Sequence, residues 1–332
     1  MTLSLPVFAA AAAAFVFITG ANDGATLIGL GLRFPEVPGW LMAFVLVAAV
    51  FAGPYLTGTA VARTFTERLV SFGAAGGAAT FLTGVIVAVV VVAVLTARGF
   101  PTSLTLALIG AITGAGLGAG LAVSWSGLAL VLGAGVAAPV VGLVLGYLLG
   151  TLARRVPSTR RMPRLVRAAH VLAYGLQSFA YAANDGQKMI AVVGVAIAAG
   201  GAGGPNGVGD IDVTPPWMAA LTLLFFAGAL TSLTRVGERL GRDLVLTRPP
   251  HIVCAELAAA GAVFGSVALG CPVSITQSIA AGVVGAAARE GVGRVRWQYV
   301  ANIGLAWLIT LPAAMLLAVL AGLGLRLVMG TP

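Results

Sequence analysis

One tetrapeptide that combines an amide with a carboxylate occurs twice in strongly apolar surroundings. It stands at Ala21-Asn22-Asp23-Gly24 and again at Ala183-Asn184-Asp185-Gly186, 162 residues further along a chain of 332 residues. A carboxylate inside an apolar span costs about 3 kcal/mol, so two copies are expected to bind something there. Their hard oxygens suit Na⁺ or accept a proton, which makes Asp23 and Asp185 predicted cation sites. The alternative is that Asn and Asp only cap two half-helices.

A second duplicated element combines proline with hydroxyl residues. It reads Pro101-Thr102-Ser103-Leu104-Thr105 in the first half and Pro272-Val273-Ser274-Ile275-Thr276 in the second. Free backbone N–H groups and hydroxyl donors at the start of a helix form an anion site. The duplication therefore predicts that both segments contact an anion, although Ser and Thr in membrane helices often satisfy their hydroxyls within their own helix.

Few other polar residues lie within or beside the apolar segments. Lys188, the only lysine, follows the second motif and is expected to pair with Asp185 or to balance an anion. Its alternative is an interfacial position that lets the ammonium reach water. Glu256 is interpreted equally well as a functional carboxylate or as a helix–helix hydrogen bond. The two histidines, His170 and His251, stand alone near segment starts and are expected to have a structural role at an interface. The two cysteines, Cys254 and Cys271, are expected to be inert packing residues.

The composition places the chain in a membrane. Hydrophobic residues make up 59 % of it and charged residues 9 %, and the mean hydropathy is +1.04. Soluble domains carry about 25 % charged residues. The excess of bases, 19 against 10 acids, lies between apolar runs, as in cytoplasmic loops of membrane proteins, and does not indicate nucleic-acid binding. The apolar N-terminus has no base before Arg33, so it is interpreted as a retained first span rather than a signal peptide.

The pattern of apolar runs predicts an all-α polytopic membrane protein. The Asn-Asp-Gly motifs interrupt the first and fifth of these runs, which is typical of discontinuous helices in transporters. Two further stretches, 103–122 and 273–288, are short and follow prolines, so they are predicted to be re-entrant hairpins. The predicted spans are 5–33, 40–62, 78–97, 127–153, 168–200, 216–234, 251–269 and 298–325.

A basic segment divides the chain into two related repeats. Residues 154–167 carry six arginines and no acid, which predicts a cytoplasmic linker between a repeat at 1–153 and a repeat at 168–332. The loop 235–248 is predicted to be cytoplasmic too, and the loop 200–215 to be outside. Counting spans from these loops gives both halves the same orientation. If the two halves are inverted instead, the number of spans is wrong by one, and the expected place of that error is 289–296.

With these motifs in place, the chain resembles the inorganic phosphate transporter (PiT) family of sodium- or proton-coupled symporters. The resemblance covers nearly the whole chain and includes Ala255-Glu256-Leu257 and Trp307-Leu308-Ile309-Thr310-Leu311-Pro312 besides the two duplicated elements. It implies two inverted repeats with the substrate and cations bound between them. Cation or substrate ligands would then be Asn22, Asp23, Asn184 and Asp185. Phosphate contacts would come from Ser103, Thr105, Ser274 and Thr276, and we add Gln277 and Lys188 to the predicted substrate site.

The hairpins depart from the family pattern Pro-Val-Ser-Thr-Thr-His. Leu104 and Ile275 replace the middle threonine, and Leu106 and Gln277 replace the histidine. Each hairpin thus loses a hydroxyl and an imidazole. The change leaves a sulfate permease of the same fold as an alternative substrate class.

The leading hypothesis is a symporter in the cell membrane that moves phosphate with Na⁺ or H⁺, without a cofactor, by alternating access that rocks around a fixed midplane site. A buried carboxylate can accept a hydrogen bond from the P–OH group of phosphate but repels sulfate. An embedded phosphotransfer enzyme is the alternative of another class, but the chain carries none of the common catalytic motifs. A non-transporting sensor also stays open, as does assembly into a homo-oligomer.

Overall fold

The computed structural model describes seven stretches of the chain, and helices make up most of each. These stretches are 5–34, 36–73, 76–98, 102–155, 162–202, 214–236 and 249–329. Within them the backbone forms no β-strand, and an isolated bridge joins Val70 and Val123. Pro101, most of the loops 200–215 and 235–248, and the centre of the linker lie outside the described residues.

The described part of the first half holds seven α-helices and two π-helical turns, the second of them at Thr64–Arg68 after α4. A long helix runs through α1 (Leu5–Thr19), a π-helical turn at Gly20–Gly24 and α2 (Ala25–Gly31). After it come α3 (Gly39–Thr57), the short α4 (Ala60–Arg63), α5 (Gly77–Ala97), α6 (Leu104–Gly118) and α7 (Trp125–Ala153). Gly58, with φ of 75°, separates α3 from α4 in a conformation that favours glycine.

The second half repeats this order. Its first helix runs through α8 (Met162–Tyr181), a π-helical turn at Ala182–Gly186 and α9 (Gln187–Ile197). Then follow α10 (Pro215–Val236), α11 (Pro249–Ala268), α12 (Ile275–Ala288) and α13 (Trp297–Met329). The parallel order of long and short helices confirms an all-α fold built from two related units.

Both Asn-Asp-Gly motifs lie in π-helical turns rather than in breaks. The residues that flank each turn keep right-handed helical angles, so the helix axis continues through the motif. A π turn holds one more residue than an α turn and loosens the regular hydrogen bonding, and such turns are frequent at functional sites. The interruption predicted from the sequence thus takes the form of a local widening of two continuous helices.

Seven helices among the described residues are long and apolar enough to cross a membrane. They coincide with seven of the eight predicted spans. The eighth, 168–200, is helical as predicted, but it is not apolar enough to count, because one side of α8 and α9 carries buried polar residues. At about 1.5 Å per residue the short helices α6 and α12 reach about 20 Å, less than the roughly 30 Å of a bilayer core. Their length fits the predicted hairpins, and their re-entry stays a prediction.

Glycine rows join the two halves. The residues Gly110, Gly114 and Gly118 of α6 face α13, and Gly142, Gly146 and Gly150 of α7 face α12. A Cβ atom on nearly every one of them would overlap with or press on the backbone of the facing helix, so only glycine allows this approach. In both pairs the contacts advance in the same direction along the two helices, which makes them parallel. Each half therefore packs its last long helix against the short helix of the other half.

Candidate functional site

The second motif lies at the centre of a buried hydrogen-bond network. Asn184 and Asp185 are almost completely inaccessible to solvent. The amide nitrogen of Asn184 donates to Asp185 Oδ2 at 3.1 Å. It also donates to the carbonyl oxygen of Val273 at 2.5 Å, and Asn184 Oδ1 accepts from the Val273 N–H at 3.3 Å. An amide satisfies both backbone groups of Val273, which holds the extended segment before α12 against the π turn.

Lys188 completes this network from the first turn of α9. Its ammonium group donates to Asp185 Oδ1 at 2.6 Å, to the Thr105 hydroxyl at 2.7 Å and to the Val273 carbonyl oxygen at 2.8 Å. Both members of the Lys188–Asp185 ion pair are about 3 % exposed. The pairing predicted as one of two roles for Lys188 is therefore present, and the ammonium does not reach an interface.

The starts of the two short helices meet at the same point. Thr105, in the first turn of α6, donates to the Val273 carbonyl oxygen at 3.3 Å. Val273 directly precedes the first residues of α12, so the two Pro-x-Ser-x-Thr elements, one from each half, touch beside Asp185. The fold thus brings together the two duplicated elements that the sequence singled out.

The first motif contributes its carboxylate to the same region with fewer contacts. Asp23 is buried and accepts from the side chain of Asn22 at 2.9 Å, while Asn22 itself is half-buried. Asp23 is close enough to Asp185 and Lys188 for their charges to interact. The site therefore gathers two carboxylates and one ammonium away from water.

The other predicted anion ligands are buried, and most have local partners. Ser103 accepts from the Leu106 N–H at 3.3 Å and so caps its own helix, which is the alternative reading of this residue. Ser274 and Thr276 bond to each other at 2.9 Å, and Ser274 makes no capping bond to α12. Gln277 is 4 % exposed. The first N–H groups of α12 thus lack a side-chain cap.

Two site residues escaped the sequence analysis. Gln187, next to Lys188, accepts from the N–H groups of Val61 and Ala62 at 2.7 and 3.3 Å, and thereby caps α4 from the other half. Tyr181 lies four residues before Asp185, directly before the π turn, and is close enough to both aspartates for their charges to act on it. Its hydroxyl is buried with no hydrogen-bond partner among the described residues. Spacing from the motif is the signal that would have found both.

His170 and Glu256 form a separate buried pair. His170 Nδ1 lies 2.9 Å from Glu256 Oε2, its Nε2 lies 3.2 Å from the Gly31 carbonyl oxygen, and both side chains are fully buried. Phe34 stacks on the imidazole with ring centres 3.9 Å apart. His170 is thus paired with a carboxylate from α11, which fits the structural role expected of it. His251 is paired too, because its Nε2 lies 2.9 Å from Glu290 Oε1. Cys254 and Cys271 are free and buried, as expected.

The polar groups of the site are suited to bind two kinds of ion. Its carboxylates and carbonyl oxygens are ligands for a small hard cation, and its ammonium, hydroxyls and helix starts attract an oxyanion.

Comparison with known proteins agrees with this arrangement. The model of the phosphate transporter family matches residues 19–163 and again 153–318. A "Probable low-affinity inorganic phosphate transporter" of Rhizobium meliloti (strain 1021) is 31 % identical, with 96 % of each chain covered. A protein of the same name from Bacillus subtilis (strain 168) is 26 % identical, with 93 % of each chain covered.

A solved structure has the same fold. It is named "The sodium-dependent phosphate transporter", superposes with a TM-score of 0.79 and is 16 % identical, and the match covers 98 % of this chain and 99 % of that one. Two matches to one family model, one in each half, account for the duplicated motifs and for the repeated order of helices. This multi-pass membrane protein belongs to the phosphate transporter family.

Proposed function

We propose that this protein is a secondary active symporter that moves inorganic phosphate across the cell membrane together with Na⁺ or H⁺. One observation carries the proposal: buried carboxylates from both halves lie beside the paired starts of two short helices. Such a site holds a cation and an oxyanion next to each other. The relatives matched over nearly their full length are named for inorganic phosphate, which gives the sulfate alternative no support.

The residues divide into two groups by charge. Asp23 and Asp185, with the amide oxygens of Asn22 and Asn184, supply the oxygens for the coupling cation. The phosphate is bound by the hydroxyls and N–H groups at the starts of α6 and α12 and by the ammonium of Lys188. The ligands of this second group are Ser103, Thr105, Ser274, Thr276 and Gln277. Cation binding comes first, because two buried carboxylates otherwise repel the anion.

Phosphate differs from sulfate in carrying a proton at neutral pH. The P–OH group donates to a carboxylate, and a carboxylate that receives no such donor repels the anion. A site with two aspartates therefore selects a protonated oxyanion over one with acceptors only. Binding and release need no covalent step, so the protein acts as a carrier and not as an enzyme.

The test is uptake of radiolabelled phosphate into proteoliposomes that contain the purified protein. A Na⁺ gradient and a pH gradient are imposed separately, each with and without excess sulfate. Accumulation driven by one gradient and unaffected by sulfate is expected, and the effective gradient names the coupling ion. Accumulation of labelled sulfate instead, or release of phosphate from a phosphoester, would assign a different function. Binding of phosphate without accumulation under either gradient would indicate a sensor.

Two single substitutions connect this activity to the site. Asp23→Asn and Asp185→Asn remove one negative charge each with little change in shape, and each is expected to lower uptake at least about 100-fold, since a buried transport-site acid is rarely dispensable. Glu67→Gln is the matched control, because Glu67 is an exposed acid outside the site. Normal uptake by both aspartate variants would remove the site assignment.

A further inference from the structure

The ammonium of Lys188 lies where a small cation would be coordinated. Its three contacts are a carboxylate oxygen, a hydroxyl oxygen and a backbone carbonyl oxygen, at 2.6, 2.7 and 2.8 Å. These are the oxygen types that bind hard metal cations. The position is 3 % exposed, so no water layer separates the charge from its ligands. Lys188 thus fills a cation position with a covalently attached positive charge.

The first half has no such charge. The offset of 162 residues between the two motifs places Thr26 at the position that corresponds to Lys188. The Thr26 hydroxyl donates to the Asn22 carbonyl oxygen at 2.7 Å, within its own helix. Among the residues whose side chains the structure describes, no Lys, Arg or His forms an ion pair with Asp23. The two aspartates are alike in sequence and unlike in charge balance.

We propose that Lys188 takes the place of the coupling cation in the second half, so that an external cation binds only beside Asp23. This proposal deepens the symport function proposed above and rests on it, and it narrows the four cation ligands given there to Asn22 and Asp23. It assigns to the protein one cation site, where a duplicated motif would otherwise supply two.

The charges of the site agree with a single cation. Asp23, Asp185 and Lys188 interact electrostatically and sum to one negative charge when all are ionised. One monovalent cation neutralises that remainder. Without the ammonium, the same pair of carboxylates would require two cations before an anion could approach, since unpaired buried charges are strongly unfavourable.

The test replaces Lys188 with the residue that the first half carries. The dependence of phosphate uptake on the concentration of the driving cation is measured for the wild type, Lys188→Thr and Lys188→Arg. A Hill coefficient can rise to the number of interacting sites, so we expect about one for the wild type and for the charge-retaining Arg variant, and up to about two for Lys188→Thr. An unchanged coefficient in Lys188→Thr, with only a higher KM for phosphate, would overturn the proposal and leave phosphate binding as the only role of Lys188.

A second measurement covers loss of transport. The thermal unfolding midpoint of each purified protein is followed against Na⁺ at constant ionic strength, and against pH, because a ligand that binds only the folded state raises stability with its concentration. A steeper dependence in Lys188→Thr than in the wild type, on either cation, supports the proposal. If the unfolding midpoints of Lys188→Thr and the wild type depend equally on Na⁺ and equally on pH, the proposal is overturned. Absence of phosphate uptake by the wild type would count against the symport function alone, because the comparison of unfolding slopes does not use phosphate.

Discussion

The two Ala-Asn-Asp-Gly motifs share a sequence and a π-helical turn but differ in their surroundings. Asn184 and Asp185 hold the start of α12 in place through bonds to Val273 and Lys188. Among the described residues, the side chains of Asn22 and Asp23 form hydrogen bonds only with each other. The difference comes from the residues after each motif, which are Gln187 and Lys188 in one half and Ala25 and Thr26 in the other. A duplicated motif thus indicates where a site lies, but the residues that follow each copy determine which contacts it makes.

The largest effect that would test this difference is on stability. Asp185→Ala leaves the buried Lys188 ammonium without the carboxylate to which it is hydrogen-bonded and is expected to lower the free energy of unfolding by about 3–5 kcal/mol. Asp23→Ala leaves no base unpaired and is expected to cost less than about 1 kcal/mol, by the same reasoning. Denaturation of the purified proteins in detergent measures both.

The matching double variant separates charge from packing. Adding Lys188→Thr to Asp185→Ala removes the unpaired ammonium, so the double variant is expected to be more stable than Asp185→Ala alone, which is a non-additive result. Equal losses for Asp23→Ala and Asp185→Ala would mean that the two motifs are equivalent in the folded protein.

A second, smaller effect concerns the His170–Glu256 pair, which the first half lacks. The helix α5 holds the place that α11 holds in the second half, and it contains no charged residue. His170→Leu leaves the buried Glu256 carboxylate without its partner and is expected to cost about 3 kcal/mol. His170→Gln keeps a donor for the carboxylate and is expected to cost about 1 kcal/mol. If both variants unfold at the same point as the wild type, the pair does not contribute to the asymmetry between the halves.

The smallest expected effect concerns Gln187, whose first-half counterpart is Ala25. Gln187→Leu removes the acceptor for two N–H groups at the start of α4 and is expected to cost about 1–2 kcal/mol. Gln187→Glu keeps an acceptor oxygen and serves as the control. Unfolding measured on both variants checks the prediction, and an unaffected Leu variant would show that water replaces the lost acceptor.

Much of the fold was predictable because it depends on local patterns. Apolar runs of span length located the helices. The predicted pairing of Lys188 with Asp185 is present, and the contact between Lys188 and Thr105 came only from the structure. The Ser103 side chain, in contrast, caps its own helix, which the sequence allowed as the alternative to an anion contact. The remaining ligand assignments stay predictions.

The parts that sequence reasoning missed depend on contacts between distant residues. Glu256 could be a ligand or a hydrogen-bond partner, and only the packing of α11 against α8 brings it to His170. The Gly-x-x-x-Gly rows of α6 and α7 are visible in the sequence and indicate close helix packing. They do not name the partner helix, which lies in the other half of the chain.

The crossed packing of the halves limits how the protein can move. The helices α5, α6 and α13 contact one another, as do α7, α11 and α12, so each of these trios contains helices from both repeats. Backbone contact at the glycine rows leaves no layer of side chains along which the partners could slide. A rotation of 1–153 against 168–332 would separate both trios. If the protein transports by rocking around its central site, the units that move as rigid bodies cut across the two repeats, and the boundary between the repeats is not the hinge.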